Sequence, residues 1–328
     1  MDIRTYDQVD PEQVLRLNLM ALNYPLTPEV AAEGRRLDPR VTPEFALYAV
    51  EGGLVVGQVG MFEAPVMTRE GPARAGALWA VATHPEHGRG GVARALIVEA
   101  HRRMRERGAR FVTLGTSRYR VAHSLYLSLG YSDLRLLATA FSPIGGPARP
   151  GPASARPGLT ASPLPSAEEH LLGVVHDQAA AGWLGFTSRP PHFANILRAW
   201  GESISAFIIT DEDEEGAADR AASRAVGYAL TSSTEPVVTV AEFEVVPSTD
   251  PGRAAVAIAR AFPDKRLRIR AVMRDAYRQS MPAAGFEVVH PDWGTLMAAS
   301  LDGTPPDEVR RLLGVDENLF NCGFFDIT

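Results

Sequence analysis

The sequence is short of the features that mark secreted, membrane-spanning or broadly nucleic-acid-binding proteins. It holds one cysteine, Cys322, in 328 residues. One thiol forms no internal disulfide and no cysteine-rich metal site, which excludes a disulfide-stapled extracellular fold and points to a reducing compartment. No apolar run approaches the roughly 20 residues that a membrane helix needs. The N-terminal stretch MDIRTYDQVDPEQ is too polar for a signal peptide. A soluble, cytoplasmic chain without a membrane partner is therefore expected. Positive charge is scarce too: 33 Lys and Arg against 39 Asp and Glu leave a net charge of −6. Sequence-independent binding to nucleic acid is disfavoured on that balance. The dinucleotide pattern G-x-G-x-x-G is missing, and no His, Cys or Asp cluster has metal-ligand spacing, so no metal is expected.

What remains is an ordinary globular composition, 45% hydrophobic and 22% charged, at a length suited to about two domains. Residues 142–158, SPIGGPARPGPASARPG, have no apolar period and read as a semi-rigid linker. They separate residues 1–141 from residues 159–328. In the first part Ile3–Thr5 reads as a strand and Pro11–Leu22 as an amphipathic helix facing inward through Leu15, Leu19 and Leu22. The runs Glu44–Glu51 and Leu54–Met61 meet at Gly52-Gly53, a hairpin signal. A third strand, Ala75–Thr83, runs into a glycine-rich turn and a helix over Gly91–Arg107. The strand Phe111–Thr116, a helix ending at Gly130 and a strand pair within Tyr131–Phe141 complete the half. The expected fold class is α/β, with a mixed sheet that is antiparallel early and helix-connected later.

The second part repeats the later order: strand Val237–Val246, helix Gly252–Phe262, strand Leu267–Met273 and a helix ending at Gly285-Phe286. The similar order at a similar offset suggests a tandem duplication.

The most informative stretch is Val81–Ile97, VATHPEHGRGGVARALI. A strand enters a turn containing Gly88, Gly90 and Gly91, and a helix starts at once. Glycines there let the backbone approach a ligand, and the free N–H groups of the helix start, with the helix dipole, favour a pyrophosphate. Arg89 adds a charged donor. Downstream, Ala122-His123-Ser124-Leu125-Tyr126 is followed by Gly130-Tyr131.

In these two stretches the chain resembles the GNAT superfamily of acyl-CoA-dependent N-acyltransferases. The family's [R/Q]-x-x-G-x-[G/A] turn is similar to Gly88-Arg89-Gly90-Gly91-Val92-Ala93, with Gly88 where Arg or Gln is usual. Its A-x-x-L-Y-x-x-x-G-[F/Y] helix is similar to Ala122 through Tyr131 at every named position. The resemblance implies acetyl-CoA as co-substrate, held by Gly88–Ala93 and by the backbone of Val81, Ala82 and Thr83, whose N–H groups would polarise the thioester carbonyl. It also implies Tyr126 as general acid to the departing sulfur, since a phenol with a reference pKa of about 10 stays protonated near neutrality. The strand before the turn has no carboxylate where many relatives supply Glu. His84, with an unperturbed pKa of about 6.5, is a candidate base, as are Glu63 and water. Asn often stands seven residues ahead of the tyrosine in the family; Tyr119 stands there here, flanked by Arg118 and Arg120.

The second half resembles a degenerate GNAT repeat. Ser248-Thr249-Asp250-Pro251-Gly252-Arg253 lacks the glycine cradle, and Met281 stands where the first repeat has Tyr126. Two roles are open to such a half: shaping the substrate pocket, or forming a homodimer interface. The segment Trp183–Trp200, with Arg189-Pro190-Pro191-His192, is either a cleft wall or core. Asp211–Glu215, DEDEE, reads as a solvated loop. The tail Glu317–Thr328 carries Leu319, Phe320, Phe324 and Phe325 and is expected to dock. In some tandem relatives the C-terminus reaches the first repeat's active site, and the resemblance extends that expectation here. The expected activity is acetyl transfer to a primary amine of a small molecule. A silent acyl-CoA sensor, a protein-lysine or N-terminal acetyltransferase, and an interaction scaffold are the alternatives.

Overall fold

The computed structural model describes residues 1–143, 158–212, 225–270 and 274–326, so all but the ends of the expected 142–158 linker, and Asp213–Glu215 of the acidic run, lie outside the described residues. The chain begins with β1 (Asp2–Thr5), α1 (Pro11–Leu22) and α2 (Pro28–Leu37). Next come β2 (Val41–Glu51), β3 (Leu54–Thr68) and β4 (Gly71–Thr83). Then follow α3 (Val92–Glu106), β5 (Phe111–Ser117), α4 (Val121–Leu127), β6 (Ser132–Leu136) and β7 (Thr139–Phe141). The remainder opens with β8 (Leu159–Pro163), α5 (His170–Ala179), β9 (Leu184–Gly185), α6 (Phe193–Ala199) and β10 (Ser205–Asp211). It continues through β11 (Ala225–Thr234), β12 (Val237–Val245), α7 (Pro251–Arg260), β13 (Arg266–Ile269) and α8 (Asp275–Ala283). It closes with β14 (Glu287–Val289), β15 (Gly294–Ser300), α9 (Pro306–Leu312) and β16 (Phe320–Asn321).

Two mixed sheets result. One runs β1–β2–β3–β4–β5–β15–β6, and the other runs β14–β7–β13–β12–β11–β10–β8. Their meanders are antiparallel, and in each the helix-connected pair, β4 with β5 or β12 with β13, is parallel. The expected tandem order is thus visible in three dimensions. The two sheets also trade strands. β15, from late in the chain, lies between β5 and β6, while β7 lies between β13 and β14. The expected strand pair within Tyr131–Phe141 is therefore corrected: β6 and β7 belong to different sheets, because β15 takes the place beside β5. It pairs antiparallel over Gly294–Ser300 with Phe111–Ser117.

The long helix α3 shows how composition sets the close packing. Val92, Leu96, Ile97, Ala100 and Met104 are buried along one face. A Cβ at Gly57 would lie 2.4 Å from Val92, and one at Gly76 would lie 2.4 Å from the Met104 sulfur. Only glycine on the sheet lets the helix sit this near.

Helix α1 corrects the expected inward face. Its buried residues are Val14, Leu17 and Asn18, while Leu19 is 46% exposed. The helix is rotated so that the Asn18 amide donates to the buried Gln58 side chain at 2.8 Å, an interaction that an apolar period does not register. Helix α2 was not anticipated, although Thr27 and Pro28 supply its N-cap and first position.

A fragment ending at Phe141 lacks β15 and leaves β5 and β6 without their common neighbour. It is expected to aggregate, whereas the whole chain stays soluble. A soluble 1–141 fragment with a cooperative melt by circular dichroism would refute this.

Candidate functional site

β4 and β5 start as a parallel pair and then part. Their pairing covers Ala75–Ala77 against Phe111–Thr113 only, although β4 continues to Thr83 and β5 to Ser117. On its other edge β4 stays bound to β3, with a register shift between Gln58 and Gly60. There Ala80 adopts φ 45°, a costly conformation for a residue with a side chain, and the Gln58 amide donates to its carbonyl at 3.3 Å. The bulge bends β4 away from β5. On that edge the backbone of Leu78–Thr83 therefore faces the gap without a strand partner.

At the outer end of β4 the turn reaches α3. Gly91 is the helix N-cap, at φ 81°, and no side chain caps this end. Gly88–Gly91 are exposed, and a Cβ on Gly91 would meet nothing within 4 Å. The Arg89 guanidinium makes no hydrogen bond or ion pair among the described residues. Open amides, helix dipole and unpaired guanidinium together suit a diphosphate. Gly88, where Arg or Gln is usual in the family, has φ −59°, which any residue adopts.

A cavity of about 500 Å³ opens along the gap. Leu78–Val81 from β4, Leu114–Ser117 from β5, and Arg120, Ala122 and Tyr126 form one side. Tyr126 is 5% exposed, and its hydroxyl bonds no group among the described residues. Burial pushes the phenol up to about 12, partly offset by Arg120. It is a neutral proton donor throughout the ordinary pH range.

The second half closes the cavity through Leu197, Trp200, Glu202, Arg270, Trp293 and Phe325. The Tyr24 hydroxyl donates to the Trp200 carbonyl at 3.0 Å, and the Trp200 indole donates to Asp38 at 2.9 Å. The C-terminal segment docks, as its apolar residues suggest. Arg189 grips Asp326 through both guanidinium ends at 3.0 and 2.8 Å and donates to Glu242 at 3.0 Å, all in the interior. The Phe325 amide donates to Glu242 at 3.0 Å, while Arg40 donates to the Phe325 carbonyl. Ile327 and Thr328 lie outside the described residues.

Of the residues singled out in the sequence, Val81 and Tyr126 share this cavity, and Gly88–Ala93 form the turn and helix start beyond β4. Ala82 and Thr83 pair with Gln58 and Gly57 on the β3 side. His84 does not line the cavity. It caps the turn Pro85–His87, its Nδ1 accepting from the Glu86 amide at 3.3 Å. Glu63 is committed to Arg74 and Arg107. Arg118 donates to the Asp292 carbonyl at 2.8 Å, and Tyr119 is exposed. Arg189 is core, whereas Trp200 is wall. Sequence reading missed Glu202, Arg270, Trp293 and Arg40, which no local motif marks.

The matching region of the second half is closed. Asp250 caps α7 by accepting from the Arg253 amide at 2.7 Å, Pro251 has no N–H, and both Pro251 and Gly252 are buried. The Tyr277 hydroxyl accepts from the Val245 amide at 2.9 Å, and Met281 is fully buried. Among the described residues no group of three or more His, Cys, Asp or Glu is placed to hold a metal ion, and no helix is long and apolar enough to cross a membrane.

Residues 2–133 match the family described as acetyltransferase (GNAT) domain. No curated protein matches the chain. Among solved structures, a probable N-acyltransferase from Enterococcus faecalis V583 is similar over 92% of this chain and 72% of its own, at 14% identity and TM-score 0.67. Eis1 from Mycobacterium abscessus is similar over 92% and 74%, at 17% identity and TM-score 0.58. A tandem GNAT protein from the clavulanic acid biosynthesis pathway is similar over 92% and 98%, at 16% identity and TM-score 0.55. At these identities the likeness is one of fold.

Gly91→Glu places a carboxylate at the open helix start, and calorimetry is expected to show acetyl-CoA binding in the parent and none in the variant. Gly91→Ala, which carries the backbone strain without the charge, is expected to retain measurable binding. Equal binding by Gly91→Glu and the parent would refute the cradle.

Proposed function

We propose that this chain, whose residues 2–133 match the acetyltransferase (GNAT) domain family, transfers acetyl from acetyl-CoA to a primary amine of a small molecule. The observation that carries the reading is Tyr126: a buried, neutral, unpartnered phenol facing a cavity that begins where β4 and β5 part. The open α3 start takes the diphosphate, and the unpaired edge of Leu78–Thr83 takes the amides of the pantetheine arm. The amine attacks the thioester carbon, the carbon–sulfur bond breaks, and Tyr126 donates its proton to the leaving sulfur. The amine's own proton is released to solvent, and a proton returned from solvent restores the Tyr126 phenol, whose raised affinity for it favours that return. His84 takes no part in this scheme. The wall contributed by the second half favours a small acceptor, because a protein lysine would need a wide, open approach.

Tyr126→Phe removes only the donor. Thiol release at saturating acetyl-CoA is expected to fall about 10²- to 10⁴-fold in kcat, with acetyl-CoA binding retained. Unchanged kcat would overturn the assignment.

The pH profile follows from the raised phenol. Because burial favours the neutral form, the donor stays protonated up to about pH 12. The rate is expected to climb as the amine deprotonates and to show no falling limb up to about pH 10.5. A fall centred near the ordinary tyrosine value of about 10 would contradict the assignment.

A further inference from the structure

Resting on this acyl-transfer reading, we propose that the acceptor is a monoamine bearing an aromatic or comparably flat apolar group, seated against Trp79, Trp200 and Trp293. Three of the chain's four tryptophans line this one cavity. They come from separate parts of the fold: β4, the end of α6, and the turn before β15. The rings of Trp79 and Trp200 meet at 5.2 Å in an edge-on contact, and Phe62 stands 5.4 Å from each. This corner is rigid and apolar, and its ring geometry suits another aromatic group. Trp293 is different, since it lines the cavity yet is 57% exposed. Core packing does not account for an indole left at the mouth of a pocket. Contact with an entering apolar group does.

Charge separates this acceptor from polycationic or polyhydroxylated ones. Ring faces ordinarily attract an ammonium group, but two of them are already taken. The Arg40 guanidinium lies 4.7 Å from the Phe62 centroid and 3.6 Å from that of Phe325. Two carboxylates line the cavity. Asp292 is engaged, accepting from the Gly294 amide at 2.6 Å and the Thr139 hydroxyl at 2.8 Å. The Glu202 carboxylate has no hydrogen bond or ion pair among the described residues. Arg120 and Arg270 bring positive charge to the same lining. A second or third ammonium group would find one carboxylate, Glu202, already within the field of Arg270, together with the positive charge of Arg120. In the corner formed by Phe62, Trp79 and Trp200 the hydroxyls of an amino sugar would face ring carbon, with the Trp79 indole N–H the one unpartnered donor there among the described residues. An aryl group loses nothing by leaving water there, while its single amine reaches toward Tyr126.

The test compares thiol release from acetyl-CoA with 2-phenylethylamine and tryptamine against spermidine and glucosamine. The aryl amines are expected to show kcat/KM at least about tenfold higher. Trp293→Ala changes an exposed side chain and is expected to fold. It should raise the KM for 2-phenylethylamine several-fold, while calorimetry shows unchanged affinity for acetyl-CoA. Titration of the parent with 2-phenylethylamine should also change tryptophan fluorescence saturably, a readout that needs no turnover. Preference for spermidine or glucosamine, an unaltered KM in Trp293→Ala, or no saturable fluorescence change would overturn the aromatic acceptor and leave acetyl transfer standing. Absence of acetyl-CoA binding would instead overturn the transferase reading, with the fluorescence titration still interpretable on its own.

Discussion

The arrangement of the site depends on one parallel strand pair that stops pairing. Once β4 and β5 separate beyond Ala77 and Thr113, one edge of β4 has donors and acceptors without strand partners. Buried backbone groups are rarely left unsatisfied, and this edge faces the cavity instead of a neighbouring strand. The separation is maintained from both sides. The Ala80 bulge, tied to β3 through Gln58, bends β4 away, and β15 holds β5 along its full length. The cavity, the position of Tyr126 and the access of the helix start all follow from that parting.

The second repeat shows what happens when the same topology is closed. β12 likewise pairs with its parallel neighbour only at its start, Val237–Val240 against the whole of β13, Arg266–Ile269, and among the described residues continues alone on that edge to Val245. Here the protein supplies its own partners. Tyr277 satisfies the Val245 amide, Arg274 pairs with Glu244 at 2.9 Å, and the tail is fastened at Glu242. The buried charges are mutually compensated: Arg189 lies between Glu242 and Asp326, and Arg40 is matched by Asp38. Removal of one member would leave an uncompensated charge in the interior, so the set acts as a unit. Its placement brings Phe325 into the first repeat's cavity. One repeat keeps an open cavity at its gap, and the other contributes a wall to that cavity.

Much of this was legible in the sequence because the signals were local. Gly52-Gly53 marked a hairpin, Gly88–Gly91 an uncapped helix start, and Ala122–Tyr131 the tyrosine helix. The order of elements in the second half exposed the repeat. Features set by tertiary contact escaped. The face of α1 is decided by Asn18 meeting Gln58 forty residues away, not by its leucines. β6 and β7 look like a hairpin until β15 intervenes. Glu202, Trp293 and Arg40 belong to the site only because three distant segments converge, and no spacing along the chain encodes that. His84 had a suitable side chain at a suitable sequence position, yet the turn it caps holds it outside the cavity.

The traded strands also set the order in which the molecule can come into being. Thr295 of β15 donates to the carbonyl of Arg135 of β6, across 160 residues of chain. During synthesis the first sheet therefore waits, with β5 and β6 unjoined, until Gly294–Ser300 have left the ribosome. At usual elongation rates of about 5–20 residues per second that delay is on the order of ten seconds or more. A nascent or truncated chain can build the glycine turn and the tyrosine helix. It cannot complete the first sheet, so the cavity wall carried by β5 is held in place only after β15 has been made.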